Sequence, residues 1–557
     1  TFTRKAAREI EERVMGWLRD LAAMDDAAAS QFLAERAMEP SPQRLRQARG
    51  LYERVAEAQP PLSVHTFHGW FLQLVAAAPL VSGLAGTTLV ESGKRLLDEL
   101  WQTFASDLQK APEGELAGYF TALLAEVGLS GTKSLILRLV ARRAEWLAYA
   151  GDQENPAAYG VAELASFLGA GAEGEAVAAF FHPGWEGDFQ AYLGWLEASD
   201  TKTDQGMAAS LRAALALPSD GVAGARFDAL AGVVLTQAGT LRARKPTAAL
   251  DKRFGADGAA RFLDMHQRLG ERLLETRERQ RAEAILAFNR RALVLGCAFL
   301  DLLEKHKNAR RLIDFVDAEW QVLRLLRDES HAAFLQARLD ARYKHILLDE
   351  FQDTNPLQWQ ILLAWLGAYG PGESAPRLFL VGDPKQSIYR FRQAEPRLFA
   401  TAARFLRDNF DAVALDQDAT RRNAPAIVAV VNALFAPEPL FTPFRTQTSF
   451  AEGLPGRVEL LPLCNPPVET EGEASPGLRN PLTTPEPEIP DPGRALEAAA
   501  LAERLLQMVG HWQVRDGGTE RPARFGDVML LVRTRTRLAE YERALKAAGI
   551  PYLAASR

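Results

Sequence analysis

Two adjacent carboxylates, Asp349 and Glu350, end an apolar run in the segment LLDEFQDTNPLQWQ, residues 347–360. In an open parallel sheet, ligands gather at the carboxyl ends of the strands, because loops and helix N-termini converge there. One chemistry for this pair assigns Asp349 to a Mg²⁺ ion on nucleotide phosphates and Glu350 to orienting and deprotonating the attacking water. The alternative is an ordinary solvated strand end, and an isolated Asp-Glu pair does not decide between the two.

A second apolar run ends in a polar turn, in the segment VGDPKQSIYRFRQAEP at residues 381–396. The turn carries Asp383, Lys385 and Gln386, and an amide at this position is suited to contact a γ-phosphate. Two strand ends with complementary chemistry shift the balance towards a nucleotide site at this edge of a sheet.

The next residues alternate between aromatic and basic types: Tyr389, Arg390, Phe391 and Arg392. Aromatic faces stack on unpaired bases without sequence preference, and guanidinium groups hold phosphates or stack as well. This pattern predicts a surface for single-stranded nucleic acid. The alternative is an aromatic core pair flanked by solvated arginines.

Another aromatic segment, HTFHGWF at residues 65–71, contains two histidines with no carboxylate or thiolate close in sequence. That spacing is poor support for a metal site. A capped helix start with buried aromatic side chains is the simpler interpretation.

The elements that position these residues change in character along the chain. After residue 340, short apolar runs (KHILLDE, RLFLVGD, DAVALD, DVMLLVRT) alternate with helical patterns, which predicts a mostly parallel sheet covered by helices. From about residue 80 to about residue 330 the sequence is rich in Ala, Leu, Glu and Arg, which predicts a large helical insertion. Near the start, Thr3 is predicted to cap the helix that begins AAREIEERV.

Composition limits the class of protein. A chain of 557 residues with 47% hydrophobic residues predicts two to four packed domains. The net charge of −6 means that any nucleic-acid surface must be a local basic patch. Cys297 and Cys464 are the only cysteines and lie far apart, so neither a disulfide framework nor a structural zinc site is expected, and a reducing, cytoplasmic compartment is predicted. No membrane association is expected from the apolar runs.

Several segments together resemble the UvrD/Rep/PcrA and RecB/AddA group of superfamily I DNA helicases. TFTRKAAREIEERV is similar to motif Ia, HTFHGWF to the DNA-contacting motif that follows it, LLDEFQDTNPLQWQIL to motif II, and LFLVGDPKQSIYRFRQAEP to motif III. RLIDFVDAEWQVLRLL resembles the segment before motif II, DATRRNAPAIVAVVNALF resembles motif IV, and the segment from Phe525 resembles the later part of the second motor domain.

This resemblance implies an α/β fold with RecA-like parallel sheets of the P-loop NTPase type and a large all-helical insertion. The implied domains are residues 1–80 as the first part of RecA-like domain 1A, 81–305 as the helical insertion 1B, 306–400 as the rest of domain 1A with motifs II and III, and 401–557 as RecA-like domain 2A.

The resemblance also implies roles for individual residues. Asp349 holds Mg²⁺, Glu350 is the catalytic base and Gln386 senses the γ-phosphate of ATP. Arg422 matches the motif IV arginine that reaches the γ-phosphate as an arginine finger, a role suited to an always-charged guanidinium, and Arg421 takes the position of an aromatic residue that stacks on adenine. The implied DNA-binding residues are Phe2, Thr66, Phe67, His68, Tyr389, Phe391 and Arg392.

The activity implied is ATP-dependent 3′ to 5′ movement on single-stranded DNA, with ss/ds DNA junctions as further partners. The insertion of roughly 250 residues is longer than a compact UvrD-type domain 1B needs, which favours a RecB/AddA-type helicase-nuclease protein that works with a second subunit. The alternatives are a stand-alone UvrD-type repair helicase and, in another class, a noncatalytic RecA-like DNA-binding scaffold.

Three departures from the family pattern stand out. No G-x-x-x-x-G-K-[ST] phosphate loop occurs in the 557 residues, and motifs V and VI are missing, so a central fragment that is inactive by itself is expected. Gln393 replaces the glycine that usually ends motif III, so the local turn is expected to differ. Arg421 stands where an aromatic residue is usual.

Overall fold

The computed structural model describes residues 3–76, 86–90, 93–217, 223–369, 375–439, 444–464, 492–516 and 519–554. The chain divides into two compact units, Thr1–Ala414 and Leu415–Arg557. Helices dominate both units within these ranges, and the strands form short two-stranded ladders.

The first unit opens with helices whose starts are capped by side chains. The helices are α1 (Arg4–Ala23), α2 (Asp26–Ala34), α3 (Pro42–Arg49), α4 (Leu51–Ala56) and α5 (Phe67–Ala76). Thr3 accepts a hydrogen bond from the Ala6 amide at 3.1 Å, which confirms the predicted N-cap of α1. Asp25 and Ser41 cap α2 and α3 in the same way.

The middle of the first unit is helical, as the composition predicts. Its helices are α6 (Lys94–Lys110), α7 (Glu115–Ala141), α8 (Arg143–Ala150), α9 (Pro156–Leu168), α10 (Glu175–Phe180), α11 (Trp185–Ala198), α12 (Lys202–Leu215), α13 (Ala223–Val234) and α14 (Ala248–Ala309). The long helix α14 contributes to two separate cores: Phe262 and Leu273 pack with α11 to α13, whereas Leu295 and Phe299 pack with α6 and α7.

By length and composition, α7 is apolar enough to cross a membrane. Its backbone breaks at Gly128, where φ is 70°, so neither half reaches the roughly 20 residues that a span needs. Leu123, Ile136 and Val140 of α7 are buried in the helical core that contains Leu295 and Phe299.

The remaining part of the first unit carries the motifs with carboxylates. Its elements are β1 (Thr88–Leu89), β2 (Leu312–Ile313), α15 (Phe315–Arg327), α16 (Glu329–Arg342), β3 (His345–Leu348), α17 (Pro356–Leu366), β4 (Arg377–Leu380) and α18 (Arg397–Phe410). Strand β1 pairs in parallel with β2, and β3 pairs in parallel with β4. Alternate residues of β3 and β4 pack against a core that includes Phe71, Phe351 and Trp365.

In the second unit, β5 (Ala419–Thr420) pairs in parallel with β6 (Thr448–Ser449) and β7 (Gln513–Asp516) pairs antiparallel with β8 (Thr519–Pro522). Its helices are α19 (Pro425–Phe435), α20 (Pro492–Met508) and α21 (Leu538–Ala547). Ala502 and Leu505 of α20 pack with Leu545 of α21 and with Ile550.

Two predicted strands are wrong in this structure. DAVALD and the apolar run of DVMLLVRT contain no strand, and the side chains of Leu415 and Leu531 are exposed. A strand needs a hydrogen-bonded neighbour as well as apolar residues. The described residues therefore show parallel two-stranded ladders rather than one continuous parallel sheet.

Candidate functional site

Asp349 and Glu350 follow β3 directly, beside the end of β4. The register pairs Leu347 with Phe379 and Leu348 with Leu380. Pairing continues beyond both strands, because the Val381 amide donates to the Leu348 carbonyl at 2.8 Å and the Phe351 amide donates to the Val381 carbonyl at 3.0 Å. The two polar turns singled out from the sequence are thus side by side.

Gln352 joins the two turns through its side chain. Its Nε2 donates to Glu350 Oε2 at 2.7 Å, and its Oε1 accepts from the Asp383 amide at 3.0 Å. The side chain is buried, with 2% exposed. A Cβ on Gly382 would lie 2.4 Å from Gln352 Oε1, so this close approach requires a glycine there. Sequence reasoning missed Gln352, although its place inside the DEFQDT segment was a usable signal.

The Asp383 turn is organised by its own carboxylate. Asp383 Oδ1 accepts from the Lys385 amide at 3.0 Å and pairs with Lys385 Nζ at 2.9 Å, while Oδ2 accepts from Gln386 Nε2 at 3.0 Å. Burial raises the pKa of Asp383, but the hydrogen bonds from Lys385 and Gln386 together outweigh it and hold the pKa below its ordinary value. The Gln386 amide is therefore oriented by Asp383, and its contact with a γ-phosphate stays a prediction.

Polar atoms without partners lie just after the carboxylate pair. Among the described residues, Asp353 Oδ1 and Thr354 Oγ1 are buried and make no hydrogen bond. Burial and the neighbouring charge of Glu350 raise the pKa of Asp353. Unsatisfied buried oxygens at this point are what a site for a further polar group would contain.

The donors near β3 suit a hard divalent cation. Asp349 is half-buried and lines a cavity of about 550 Å³. The described ranges contain no cluster of three or more His, Cys, Asp or Glu side chains, so a cage built by the protein alone is not formed there. Mg²⁺ is commonly held by one or two carboxylates together with substrate phosphates and waters, and Asp349 with its neighbours fits that pattern.

An aromatic–arginine cluster, formed by Tyr389, Phe391 and Arg392, follows the Asp383 turn. The ring centroids of Tyr389 and Phe391 are 5.8 Å apart, and the Arg392 guanidinium lies 5.2 Å from the Tyr389 ring centroid and 5.7 Å from that of Phe391. Phe391 is 67% exposed, so these residues are not a core pair. Rings and guanidinium together at the surface offer stacking platforms for unpaired bases.

Gln393 anchors this cluster to the helical insertion. Its φ of 67° lies in the left-handed region, so the turn keeps a glycine-like backbone despite the substitution. Its Nε2 donates to the Ala141 carbonyl at the end of α7, and its Oε1 accepts from the Glu145 amide at 3.2 Å. The side chain that replaces the usual glycine therefore joins the cluster to α7 and α8.

The HTFHGWF segment forms the start of α5. Thr66 Oγ1 accepts from the Gly69 amide at 3.1 Å, which is the capped start expected from the sequence. Phe67 is only 8% exposed and packs in the core beside Phe71, so its ring offers little surface to a base. His68 is half-buried, with Nε2 3.2 Å from Glu319 Oε1. DNA contacts by these three residues stay predictions, and Phe2 lies outside the described residues.

The arginines of the second unit follow β5. Thr420 Oγ1 accepts from the Arg422 amide at 3.2 Å, and both Arg421 and Arg422 are exposed. The Arg421 guanidinium lies 4.5 Å from the ring centroid of Phe450. Phe450, which sequence reasoning missed because it lies almost thirty residues away, supplies an aromatic face beside the position where the family usually has one.

Paired strand ends with an Asp-Glu pair, an oriented glutamine and an exposed aromatic–arginine cluster define a motor of the helicase type. The chain belongs to the UvrD/REP helicase N-terminal domain family, whose model matches residues 1–406, well over half of the 557 residues. It is thus a UvrD/RecB-like superfamily I helicase chain.

Curated relatives narrow the comparison to ATP-dependent helicase/nuclease proteins of the AddA type. The chain is 28% identical over 271 residues to the one from Listeria monocytogenes serotype 4b, a match covering 46% of this chain and 21% of that protein. It is 30% identical over 257 residues to the one from Staphylococcus carnosus, covering 45% and 20% respectively. A shorter match, 44% identical over 107 residues, is to the one from Levilactobacillus brevis and covers 19% and 8%. The chain spans about a fifth or less of these relatives.

Proposed function

We propose that this chain is part of an ATP-dependent DNA helicase that couples ATP hydrolysis to 3′ to 5′ movement on single-stranded DNA. The observation that carries the proposal is the Gln352 bridge, which joins Glu350 to the turn that contains Gln386. Beyond the same turn follows the exposed aromatic–arginine cluster. A hydrolytic site and a base-stacking surface on one short segment can affect each other directly.

The residues divide the chemistry as follows. Asp349 would hold Mg²⁺, which neutralises charge on the triphosphate. Glu350, oriented by Gln352, positions the attacking water and accepts its proton. Gln386, oriented by Asp383, contacts the γ-phosphate, and Arg422 neutralises charge that develops there. Arg421 binds the base of ATP, with Phe450 as its aromatic neighbour.

RecA-like parallel sheets belong to this proposal, supported by the parallel β1–β2, β3–β4 and β5–β6 ladders and by the family match. The proposed compartment is cytoplasmic, in keeping with the free cysteines Cys297 and Cys464. The proposed DNA substrates are single strands and ss/ds junctions.

Within this class we favour the helicase-nuclease member of a double-strand break repair complex, working with a second subunit. The relatives are named as subunits of an ATP-dependent helicase/nuclease, and that name and the long helical insertion support this choice. A stand-alone UvrD-type repair helicase is the alternative. A noncatalytic scaffold has no need of a carboxylate pair joined to an oriented glutamine.

The test is Glu350→Gln in the natural full-length protein, with ATPase measured with and without oligo(dT) and DNA binding measured with a non-hydrolysable ATP analogue. A helicase loses turnover by about a hundredfold or more, because general-base catalysis is removed, but retains nucleotide-dependent DNA binding. Asp411→Asn is the matched control, since Asp411 is also an exposed acid with left-handed backbone, φ 49° against 54° for Glu350. Unchanged turnover in Glu350→Gln would support the scaffold instead.

A further inference from the structure

Glu319 on α15 is the most deeply buried carboxylate near the site, with no exposed surface. Its Oε1 accepts from Gln358 Nε2 at 2.7 Å and lies 3.2 Å from His68 Nε2, while its Oε2 accepts from Asn355 Nδ2 at 3.1 Å. A buried carboxylate with three convergent donors is fixed in position, because moving it would leave each donor unsatisfied.

Two of these donors are themselves fixed by the cap of α17. Asn355 Oδ1 accepts from the Gln358 amide at 2.8 Å, and Gln358 Oε1 accepts from the Asn355 amide at 3.3 Å, which is a reciprocal capping box. With both amide oxygens used on the helix, both NH₂ groups are available to Glu319. The orientation of Glu319 therefore depends on the start of α17.

The third donor is a residue of the predicted DNA track. An ionised carboxylate only accepts hydrogen bonds, so the His68 nitrogen that faces Glu319 carries its hydrogen. The same ring lies 4.7 Å from the ring of Phe315, the first residue of α15. Helix α15 thus sets both the tilt of the His68 ring and the nitrogen that bears the proton.

Asn355 also stands close to the proposed hydrolytic residues. It follows Glu350 by five positions, and the residues between them include Gln352, which bonds to Glu350 and to the Asp383 amide. A shift of the carboxylate turn would move the start of α17, and Glu319 would pass that movement to His68. The connection runs through hydrogen-bonded, buried groups at every step from Asn355 to His68.

We propose that Glu319 is a positioning residue that couples the nucleotide state of the Asp349–Glu350 turn to the orientation of His68 on single-stranded DNA. The inference rests on the proposed function. Glu319 touches neither ATP nor DNA in this scheme, so its replacement should change the coupling between the two ligands more than either binding event alone.

The measurement is the ratio of oligo(dT) affinities of the natural full-length protein with a non-hydrolysable ATP analogue and with ADP. Glu319→Gln places an NH₂ group among three donors and is expected to bring this ratio about fivefold or more closer to one. His68→Ala should do the same, and the double variant should add nothing further, because the two residues act in one chain of contacts.

Glu283→Gln is the matched control. Glu283 is also a buried acid, with 3% exposed, and its carboxylate accepts from the Gly174 and Ala176 amides at 3.0 and 2.7 Å in the helical insertion. It has no bond to α5 or α17 among the described residues. Glu283→Gln should lower the melting temperature to a similar extent and leave the affinity ratio unchanged.

The outcomes separate the two claims. If the wild type shows a nucleotide-dependent ratio that Glu319→Gln leaves unchanged, Glu319 is merely structural and the coupling proposal is overturned while the proposed function stands. If the wild type shows no nucleotide dependence, the proposed function fails and the coupling fails with it.

A second measurement applies if Glu319→Gln does not fold. ¹⁵N NMR of histidine-labelled wild-type protein reports the His68 tautomer. Hydrogen on Nε2, with a ¹⁵N shift that differs between the ATP-analogue and ADP states, supports the coupling. Hydrogen on Nδ1 alone, or identical shifts in both states, overturns it.

Discussion

Replacing Gln352 by methionine would remove the side chain that joins the two turns while keeping its approximate length. The change deletes the hydrogen bond to Glu350 Oε2 and leaves the Asp383 amide without its 3.0 Å acceptor. An unsatisfied buried amide costs about 1 to 2 kcal/mol, and the bond to the exposed Glu350 adds well under 1 kcal/mol after screening by solvent. The expected loss in the free energy of unfolding is about 2 kcal/mol.

The loss of turnover should exceed what this loss of stability explains. Glu350 has left-handed backbone, with φ 54°, and Gln352 is the side chain that holds its carboxylate. A displacement of about 1 Å in a catalytic group can reduce the rate a hundredfold. We expect the DNA-stimulated ATPase of the full-length protein to fall by about tenfold to a hundredfold, with urea unfolding measured on the same preparations.

Gln360→Met is the matched control for Gln352→Met. Gln360 lies on α17 and also makes two side-chain bonds, to the Ala148 carbonyl at 2.6 Å and from Arg327 at 3.3 Å, but it contacts neither turn. A similar fall in unfolding free energy with nearly normal turnover is expected for it. Equal turnover in the two variants would refute the positioning role of Gln352.

Three further predictions concern the same region. Phe391→Ala should weaken oligo(dT) binding by about tenfold, because one stacked base is worth roughly 1 to 3 kcal/mol, whereas Phe167→Ala, which removes a ring that is 86% exposed, should have no effect in the same fluorescence anisotropy assay. Gln393→Gly relieves left-handed strain but deletes the bonds to α7 and α8, so the melting temperature should change little while oligo(dT) affinity falls, and unchanged affinity would exclude an anchoring role. Because the pKa of Asp383 is held below its ordinary value of 3.8, its charge stabilises the fold fully above that pH, and the benefit is lost as the pH falls through the lower, folded-state pKa. The stability difference between wild type and Asp383→Asn should therefore shrink from pH 7 to pH 3 in thermal melts, and a difference independent of pH would contradict this account.

The local features of this protein were readable from the sequence alone. The Thr3 cap, the helical character of the insertion and the carboxylates at the end of β3 depend on neighbours within a few residues. Propensity, capping and periodicity act over that range, so a single sequence expresses them directly. The motif spellings carried the family assignment for the same reason.

Other features were decided only by tertiary structure. Gln352 reaches Asp383 across the β3–β4 ladder, and Glu319 brings His68 and Asn355 together from segments hundreds of residues apart. Phe67 is buried although its motif suggested a DNA contact. Which face of an element is covered, and which distant donor meets a given carboxylate, depends on chain segments that arrive from elsewhere. No local pattern contains that information, because burial and hydrogen-bond partners are properties of the packed chain.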